Sequence, residues 1–163
     1  MIDDATLALA AETLQDCRRR GWLVATAESC TGGLISAALT AIPGSSAVVD
    51  RGFVTYSDAA KHAMLGVPGA MIAAHGAVSH AVAEAMADGA LARSEATLAI
   101  AVTGVAGPGG GTPTKPVGLV WFGLALRGGR PVAEHCIFPG DRAEVRRATV
   151  AHALGMLRRS AAF

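Results

Sequence analysis

A serine lies where a strand should give way to a helix. Ser29 follows the apolar run 22–27, and a helix is predicted over 34–41. Such a junction exposes a side chain at the edge of a sheet and directs the first N–H groups of the helix toward the same point, where they stabilise an oxyanion or a phosphate. Ser29 is therefore a candidate nucleophile for acyl transfer. Helix capping by Ser29 or Thr31 explains the same spacing and is the more frequent use of such residues.

Lys61 is a candidate base for that serine. Only two of the fourteen Lys and Arg residues, Lys61 and Lys115, are lysines. Lysine can lose its proton when it is desolvated, whereas arginine effectively cannot. Tyr56 lies five residues before Lys61 across a predicted strand-to-helix junction, so the hydroxyl and the amine can face one pocket. A solvated lysine on a helix surface is the alternative, and the spacing alone does not decide between the two.

Cysteine chemistry and metal binding find little support. Cys30 is a rival nucleophile, but a catalytic cysteine needs a histidine to hold its thiolate, and none of the five histidines lies near it in the sequence. The three cysteines share no metal-binding spacing, and their odd number favours reduced thiols. The histidines and carboxylates also form no recognisable ligand set. We therefore expect no metal and no other cofactor.

The segment 104–116 is the most conspicuous loop, with five glycines and three prolines. Its backbone N–H groups could hold a phosphate. The glycine spacing, however, matches neither a Walker loop nor a dinucleotide-binding fingerprint. A flexible connection between two elements remains the alternative.

The elements that must position these residues follow from hydrophobic periodicity and capping signals. Ser57 and Asp58 are typical of an N-cap before the helix that carries Lys61, and Asp141 with Glu144 has capping-box spacing. Helices are predicted over 3–20, around Lys61, and over 34–41, 70–75, 80–93 and 141–159. Strands are predicted over 22–27, 48–56, 97–103, 117–126 and 131–138, the last two joined by a hairpin turn. This pattern predicts one domain, 1–163, with an α/β fold in which a mixed sheet carries helices on both faces. Ligands collect where strands end in loops in such folds, which singles out 28–33, 55–61 and 103–116.

Composition argues against two classes of partner. The net charge is +1, aromatics make up 4% of the chain and basic residues are spread along it, so no nucleic-acid surface is predicted. No apolar run approaches the roughly 20 residues that span a bilayer. The N-terminus lacks the features of a signal peptide, so we expect a cytoplasmic protein. Alanine-rich helices lead us to expect a homo-oligomer.

Motifs spread from the first helix to the last point to one family. The matching segments are 27–33, 43–46, 54–57 with Lys61, 65–67, 75–79, 103–110, 115–118 and 140–142. In this order they resemble the CinA C-terminal domain, or nicotinamide mononucleotide deamidase, family. The resemblance implies a three-layer α/β/α sandwich. It also implies hydrolysis of the carboxamide of nicotinamide mononucleotide to nicotinic acid mononucleotide and ammonia.

The resemblance further implies a Ser–Lys mechanism. Ser29 is then the nucleophile, Lys61 its base, and Tyr56 a hydroxyl that relays a proton or orients the pair. The substrate-binding residues expected on this basis are Thr31, Gly32, Gly33, Ser46, Thr103, Gly104, Gly107, Gly109 and Arg142. We expect Arg142 and the loop 104–110 to face the phosphate of this nucleotide substrate.

Many family members carry a larger N-terminal domain ahead of this one, and because the sequence begins directly at the first helix we expect the stand-alone form.

Two other functions stay open. The same Ser–Lys pair could act on a different amide, since a catalytic pair does not dictate the substrate. A module that senses pyridine nucleotides without turnover is the third hypothesis. The set Ser29, Tyr56 and Lys61 argues against it, because a pure binder does not need all three.

Overall fold

A computed structural model describes residues 2–162. The helices are α1 (Asp4–Arg20), α2 (Leu34–Thr40), α3 (Asp58–Leu65), α4 (Gly69–His75), α5 (His80–Ala92) and α6 (Arg142–Ala161). The strands are β1 (Val24–Glu28), β2 (Val49–Val54), β3 (Leu98–Gly104), β4 (Leu119–Leu126) and β5 (Val132–Ile137). Each predicted helix and strand is present, and a short 3-10 helix, Ser45–Ala47, precedes β2. In the described part of the chain no helix is both long and apolar enough to cross a membrane.

The five strands form one mixed sheet in the order β2-β1-β3-β4-β5. β1 is parallel to both of its neighbours, β2 and β3, whereas β4 and β5 continue the sheet in antiparallel pairing. The carboxyl ends of β1, β2 and β3 therefore meet at the same edge. In α/β sheets this is the edge where ligands bind.

Helices cover both faces of the sheet, which confirms the predicted three-layer sandwich. α1, α2 and α6 pack on one face against large side chains such as Leu98, Ile100 and Phe122. α3 and α5 pack on the other face against a sheet surface that consists mainly of alanines, Ala25, Ala27, Ala99, Ala101 and Ala125. Because these side chains are small, α5 can pack close to the sheet.

Capping side chains fix the starts of the two helices that carry the candidate site. Ser57 accepts a hydrogen bond from the Ala60 N–H at 3.0 Å and begins α3. Asp141 begins α6 with a capping box: its carboxylate accepts from the Glu144 N–H at 2.9 Å, and the Glu144 carboxylate accepts from the Asp141 N–H at 2.7 Å. Both caps are predicted from the sequence, and both helices begin where the caps require.

Candidate active site

Ser29 and Lys61 form a hydrogen-bonded pair at the carboxyl edge of the sheet. Ser29 directly follows β1, and Lys61 lies in the first turn of α3. Lys61 Nζ donates to Ser29 Oγ at 3.0 Å and to the Thr55 carbonyl at 3.2 Å. The Lys61 side chain is only 2% exposed. The alternative of a solvated helix lysine is therefore wrong.

The surroundings of Lys61 favour its neutral form. Burial lowers the pKa of Lys61, because the ammonium loses hydration that the neutral amine does not need. Asp58, whose Oδ1 lies 3.9 Å from Nζ, acts in the opposite direction and raises the pKa. A lowered pKa increases the fraction of neutral lysine, the form that can accept a proton from a hydroxyl.

Glu28 occupies the N-terminus of α2. It is the last residue of β1, fully buried, and its carboxylate accepts hydrogen bonds from the Ile35 N–H at 2.8 Å and the Ser36 N–H at 3.0 Å. The Thr31 hydroxyl donates to the same carboxylate at 2.7 Å. The expectation that the first N–H groups of α2 are free for a ligand is therefore wrong, because an internal carboxylate already satisfies them. Thr31 is buried and its side chain faces Glu28 rather than a ligand.

The turn between β1 and α2 retains its own free donors. The Gly32 N–H donates to the Ser29 carbonyl at 3.1 Å and so closes the turn. Over residues 2–162 no acceptor binds the N–H groups of Thr31 or Gly33, whereas the Cys30 N–H lies against its own thiol. Two N–H groups of the turn are therefore left without an acceptor in the described chain, unlike those at the start of α2.

A cavity of about 260 Å³ opens above the pair. Of the residues predicted for the site, six line it: Ser29, Tyr56, Lys61, Thr103, Gly104 and Arg142. Asp58, Cys30, Ala106 and the segment 77–78 complete the wall. The Thr103 hydroxyl donates to the Ala77 carbonyl at 3.0 Å and so ties that segment to the end of β3.

Arg142 joins three parts of the chain at the rim of this cavity. Its Nη2 donates to the Tyr56 hydroxyl at 2.9 Å, and its Nη1 donates to the Gly107 carbonyl at 2.8 Å. The Tyr56 ring is 60% exposed. Tyr56 thus hydrogen-bonds to Arg142, and over residues 2–162 no hydrogen bond joins its hydroxyl to Ser29 or Lys61. Gly107 takes part through its carbonyl and does not line the cavity.

The structure does not bring every predicted residue to the cavity. Ser46 lies ahead of β2, at the amino edge of the sheet, whereas Ser29 follows the carboxyl end of the parallel strand β1. The length of these strands therefore separates the two serines. Gly109 lies in the open part of its loop, where an added Cβ would meet nothing within 4 Å. Gly32 and Gly33 form the backbone of the turn behind Ser29 and do not line the cavity.

Two contacts made by charged side chains were not predicted from the sequence. Asp58 lies three residues before Lys61 on the same helix, a spacing that brings side chains together and could have revealed it. Arg146 lies one turn after Arg142 on α6, and its guanidinium donates to the Cys30 and Thr31 carbonyls, each at 3.2 Å. No local pattern points to that contact, because α6 and the turn are more than a hundred residues apart in the sequence.

Cys30 is poorly suited to act as a nucleophile. It is buried, and burial raises the pKa of the Cys30 thiol to about 11, so the thiol stays protonated near neutral pH. As for metals, residues 2–162 contain no group of three or more His, Cys, Asp and Glu side chains placed to bind an ion. The polar side chains that line the cavity include the Ser29 hydroxyl, the Lys61 amine and the Arg142 guanidinium.

Comparison with known proteins identifies the family of this chain. The profile of the CinA C-terminal domain matches residues 6–161. A CinA-like protein of Mycobacterium sp. (strain JLS) is 52% identical over 98% of this chain, which spans only 36% of that relative's length. The nicotinamide-nucleotide amidohydrolase PncC of Enterobacter agglomerans is 54% identical over 79% of each chain. The crystal structure of the competence/damage-inducible protein CihA from Agrobacterium tumefaciens, 51% identical, superposes with a TM-score of 0.93 over 96% of each chain. The chain therefore belongs to the CinA C-terminal domain family.

Proposed function

We propose that this protein is an amidohydrolase that converts nicotinamide mononucleotide to nicotinic acid mononucleotide and ammonia. The observation that carries the proposal is the buried Lys61 amine, 3.0 Å from Ser29 Oγ at the floor of a cavity. The similarity to a relative named as a nicotinamide-nucleotide amidohydrolase supports both the reaction and the substrate.

The first half of the reaction acylates Ser29. Neutral Lys61 accepts the proton of Ser29 Oγ while that oxygen attacks the carboxamide carbon. The Thr55 carbonyl accepts an N–H of Lys61 and so turns the amine lone pair toward the serine. The tetrahedral oxyanion is stabilised by free N–H groups of the turn that follows Ser29. The Lys61 ammonium then gives its proton to the departing nitrogen, and ammonia leaves.

The second half regenerates the enzyme. Water attacks the ester carbon while Lys61 again takes a proton, now from the water. When the second tetrahedral intermediate collapses, Lys61 returns the proton to Ser29 Oγ and nicotinic acid mononucleotide is released. One water is consumed, one ammonia is formed, and both Ser29 and Lys61 end in their starting protonation states.

Arg142 is the residue that we propose binds the phosphate. Its two hydrogen-bond partners, the Tyr56 hydroxyl and the Gly107 carbonyl, carry no formal negative charge in the way that a carboxylate does. Within residues 2–162 Arg142 forms no salt bridge, so its charge is available to a phosphate. Tyr56 then serves as the hydroxyl that orients Arg142.

Ammonia release from nicotinamide mononucleotide tests the proposal, with nicotinamide and glutamine as control amides. We expect release only from the mononucleotide, and a loss of at least about 10³-fold in kcat for both Ser29→Ala and Lys61→Met, since each removes a member of a unit that acts together. Ser160→Ala is the matched control, because Ser160 Oγ bonds only the Met156 carbonyl on α6, away from the cavity. Turnover in Ser29→Ala would exclude Ser29 as the nucleophile.

Each other outcome points to a different function. Release from a control amide would keep the Ser–Lys chemistry and replace the substrate. Binding of the mononucleotide without release by the wild-type protein would indicate a sensing module instead of an enzyme.

A further inference from the structure

Arg146 hydrogen-bonds to the turn that follows Ser29. It projects from α6, half-buried, and its Nε and Nη2 donate to the Cys30 and Thr31 carbonyls, each at 3.2 Å. Residues 2–162 supply no carboxylate that forms a salt bridge with it. Arg146 does not line the cavity above Ser29. A half-buried cation is thus committed to two backbone carbonyls, and it lines the depression beside Arg142 rather than the cavity above Ser29.

The geometry of the peptide group gives this contact a consequence for the neighbouring N–H. In a trans peptide the C=O and the following N–H point in opposite directions. The Cys30 carbonyl and the Thr31 N–H belong to one peptide group, so holding that carbonyl against α6 turns the Thr31 N–H away from α6. No acceptor in the described chain occupies this N–H.

The charge of Arg146 also strengthens the donor. A charge-assisted hydrogen bond to a carbonyl withdraws electron density from the peptide group, and its N–H becomes a better donor because bonded groups polarise one another. The same argument applies to the Thr31 carbonyl and the Gly32 N–H, which closes the turn onto the Ser29 carbonyl at 3.1 Å. One guanidinium therefore both polarises the turn and fixes its shape.

We propose that Arg146 is a positioning residue for the Ser29 nucleophile. It holds the turn 29–32, and so keeps Ser29 Oγ in place 3.0 Å from Lys61 Nζ, and it polarises the peptide groups of that turn. The proposal rests on the proposed amide hydrolysis, because Ser29 is the nucleophile of that reaction. A group of this kind acts on the transition state more than on the bound substrate.

Arg146→Met tests this role, since it keeps the aliphatic stem and removes the charge and both donors. We expect kcat for the mononucleotide to fall about 10- to 100-fold with KM changed less than about threefold, less than the full loss of an oxyanion donor. Arg146→Lys keeps a charge that can reach one carbonyl, and we expect it to recover part of the loss.

Arg158→Met is the matched control. Arg158 also lies on α6, and it joins that helix to α1 through salt bridges to Glu12 at 2.6 Å and Asp16 at 3.3 Å, far from the cavity. We expect this variant to have a lower melting temperature than wild type, while its kcat stays within about twofold of the wild-type value. A purely structural role for Arg146 would instead produce the Arg158→Met result.

The outcomes separate this proposal from the one on which it rests. Two results with Arg146→Met would overturn the positioning role while the proposed function stands. One is a kcat equal to that of wild type, and the other is a fall in kcat accompanied by an equally large rise in KM. A wild-type protein that releases no ammonia would overturn both. If Arg146→Met does not fold, Arg146→Lys carries the test, and wild-type kcat in that variant would contradict the proposal.

Discussion

At the scale of single residues, two opposing effects set the pKa of Lys61. Burial lowers the pKa of Lys61, and Asp58 Oδ1, 3.9 Å away, raises it. Asp58→Asn removes the opposing charge, so the pKa should fall further. In the proposed mechanism the neutral amine is the base, so kcat should rise with pH through this pKa. We therefore expect the acidic limb of the kcat–pH profile to move to lower pH in Asp58→Asn.

The profile is measured as kcat for ammonia release between pH 5 and 10. The Cys30 thiol and the Ser29 hydroxyl also face Lys61 but are unchanged in this variant. Asp88→Asn, on the exposed side of α5, is the control and should leave the limb in place. A limb that stays put or moves to higher pH in Asp58→Asn would show that Lys61 is not the titrating base.

Residue types and spacing made Ser29 and Lys61 candidates, because both lie near strand ends that can be recognised locally, and the family resemblance joined them as a pair. Ser29 follows an apolar strand, and Lys61 follows an N-cap serine. The same reasoning missed what surrounds them. Whether Lys61 is buried depends on how α3 packs against the sheet, and Arg146 reaches the turn only because α6 folds back across it. Such contacts are tertiary and leave no local signature.

At the scale of elements, α5 lies on β4 at a glycine. A Cβ placed on Gly123 would collide with the Ala83 carbonyl of α5. Gly123→Ala must therefore push the helix off the sheet or bend the strand, and overpacking of this kind costs about 2 to 3 kcal/mol. For a chain of this length that lowers the melting temperature by about 4 to 12 °C.

Thermal unfolding followed by circular dichroism measures this cost. Gly69→Ala is the matched control, because a Cβ on Gly69 at the start of α4 meets no atom within 4 Å. We expect that variant to match or exceed the wild-type melting temperature, since alanine restricts the unfolded chain more than glycine. If Gly123→Ala melted at the wild-type temperature, close packing of α5 on the sheet would be contradicted.

The starts of the helices show which structural features can be predicted from the sequence. The caps Ser57 and Asp141 were predicted and are present, because a cap needs only residues within one turn of itself. The start of α2 was misjudged. Its N–H groups bind Glu28, seven and eight residues away from Ile35 and Ser36, and that contact depends on how the chain bends after β1.

At the scale of the whole molecule, topology decides which predicted residues meet. The mixed sheet and its two helical layers followed from the order of the elements, but the sequence alone did not determine the strand order β2-β1-β3-β4-β5. Parallel pairing of β1 with β2 sends Ser46 to the edge opposite Ser29. The fold also joins Arg142 to Tyr56, which are 86 residues apart. A list of motif residues therefore overestimates the site until the fold selects among them.

The cavity is built from both ends of the chain, so a bound nucleotide should stabilise the whole molecule. Ser29 and Tyr56 come from its first 60 residues, and Arg142 from its last helix. A ligand that binds only the folded state adds about 2.7 kcal/mol at 100 times its Kd, which is about 5 to 11 °C in melting temperature for this size. We expect nicotinic acid mononucleotide to produce this shift in the wild-type protein.

Arg142→Met locates the phosphate in the same experiment. If Arg142 binds the phosphate, its loss weakens affinity at least about tenfold, and the stabilisation at the same ligand concentration falls by half or more. Arg147→Met, which removes the neighbouring arginine that faces Asp3 at 3.7 Å, should keep the full shift. With nicotinic acid riboside, which lacks the phosphate, wild type and Arg142→Met should shift equally. A full shift with the mononucleotide in Arg142→Met would place the phosphate elsewhere, because a site without its cation cannot retain the affinity that the cation provides.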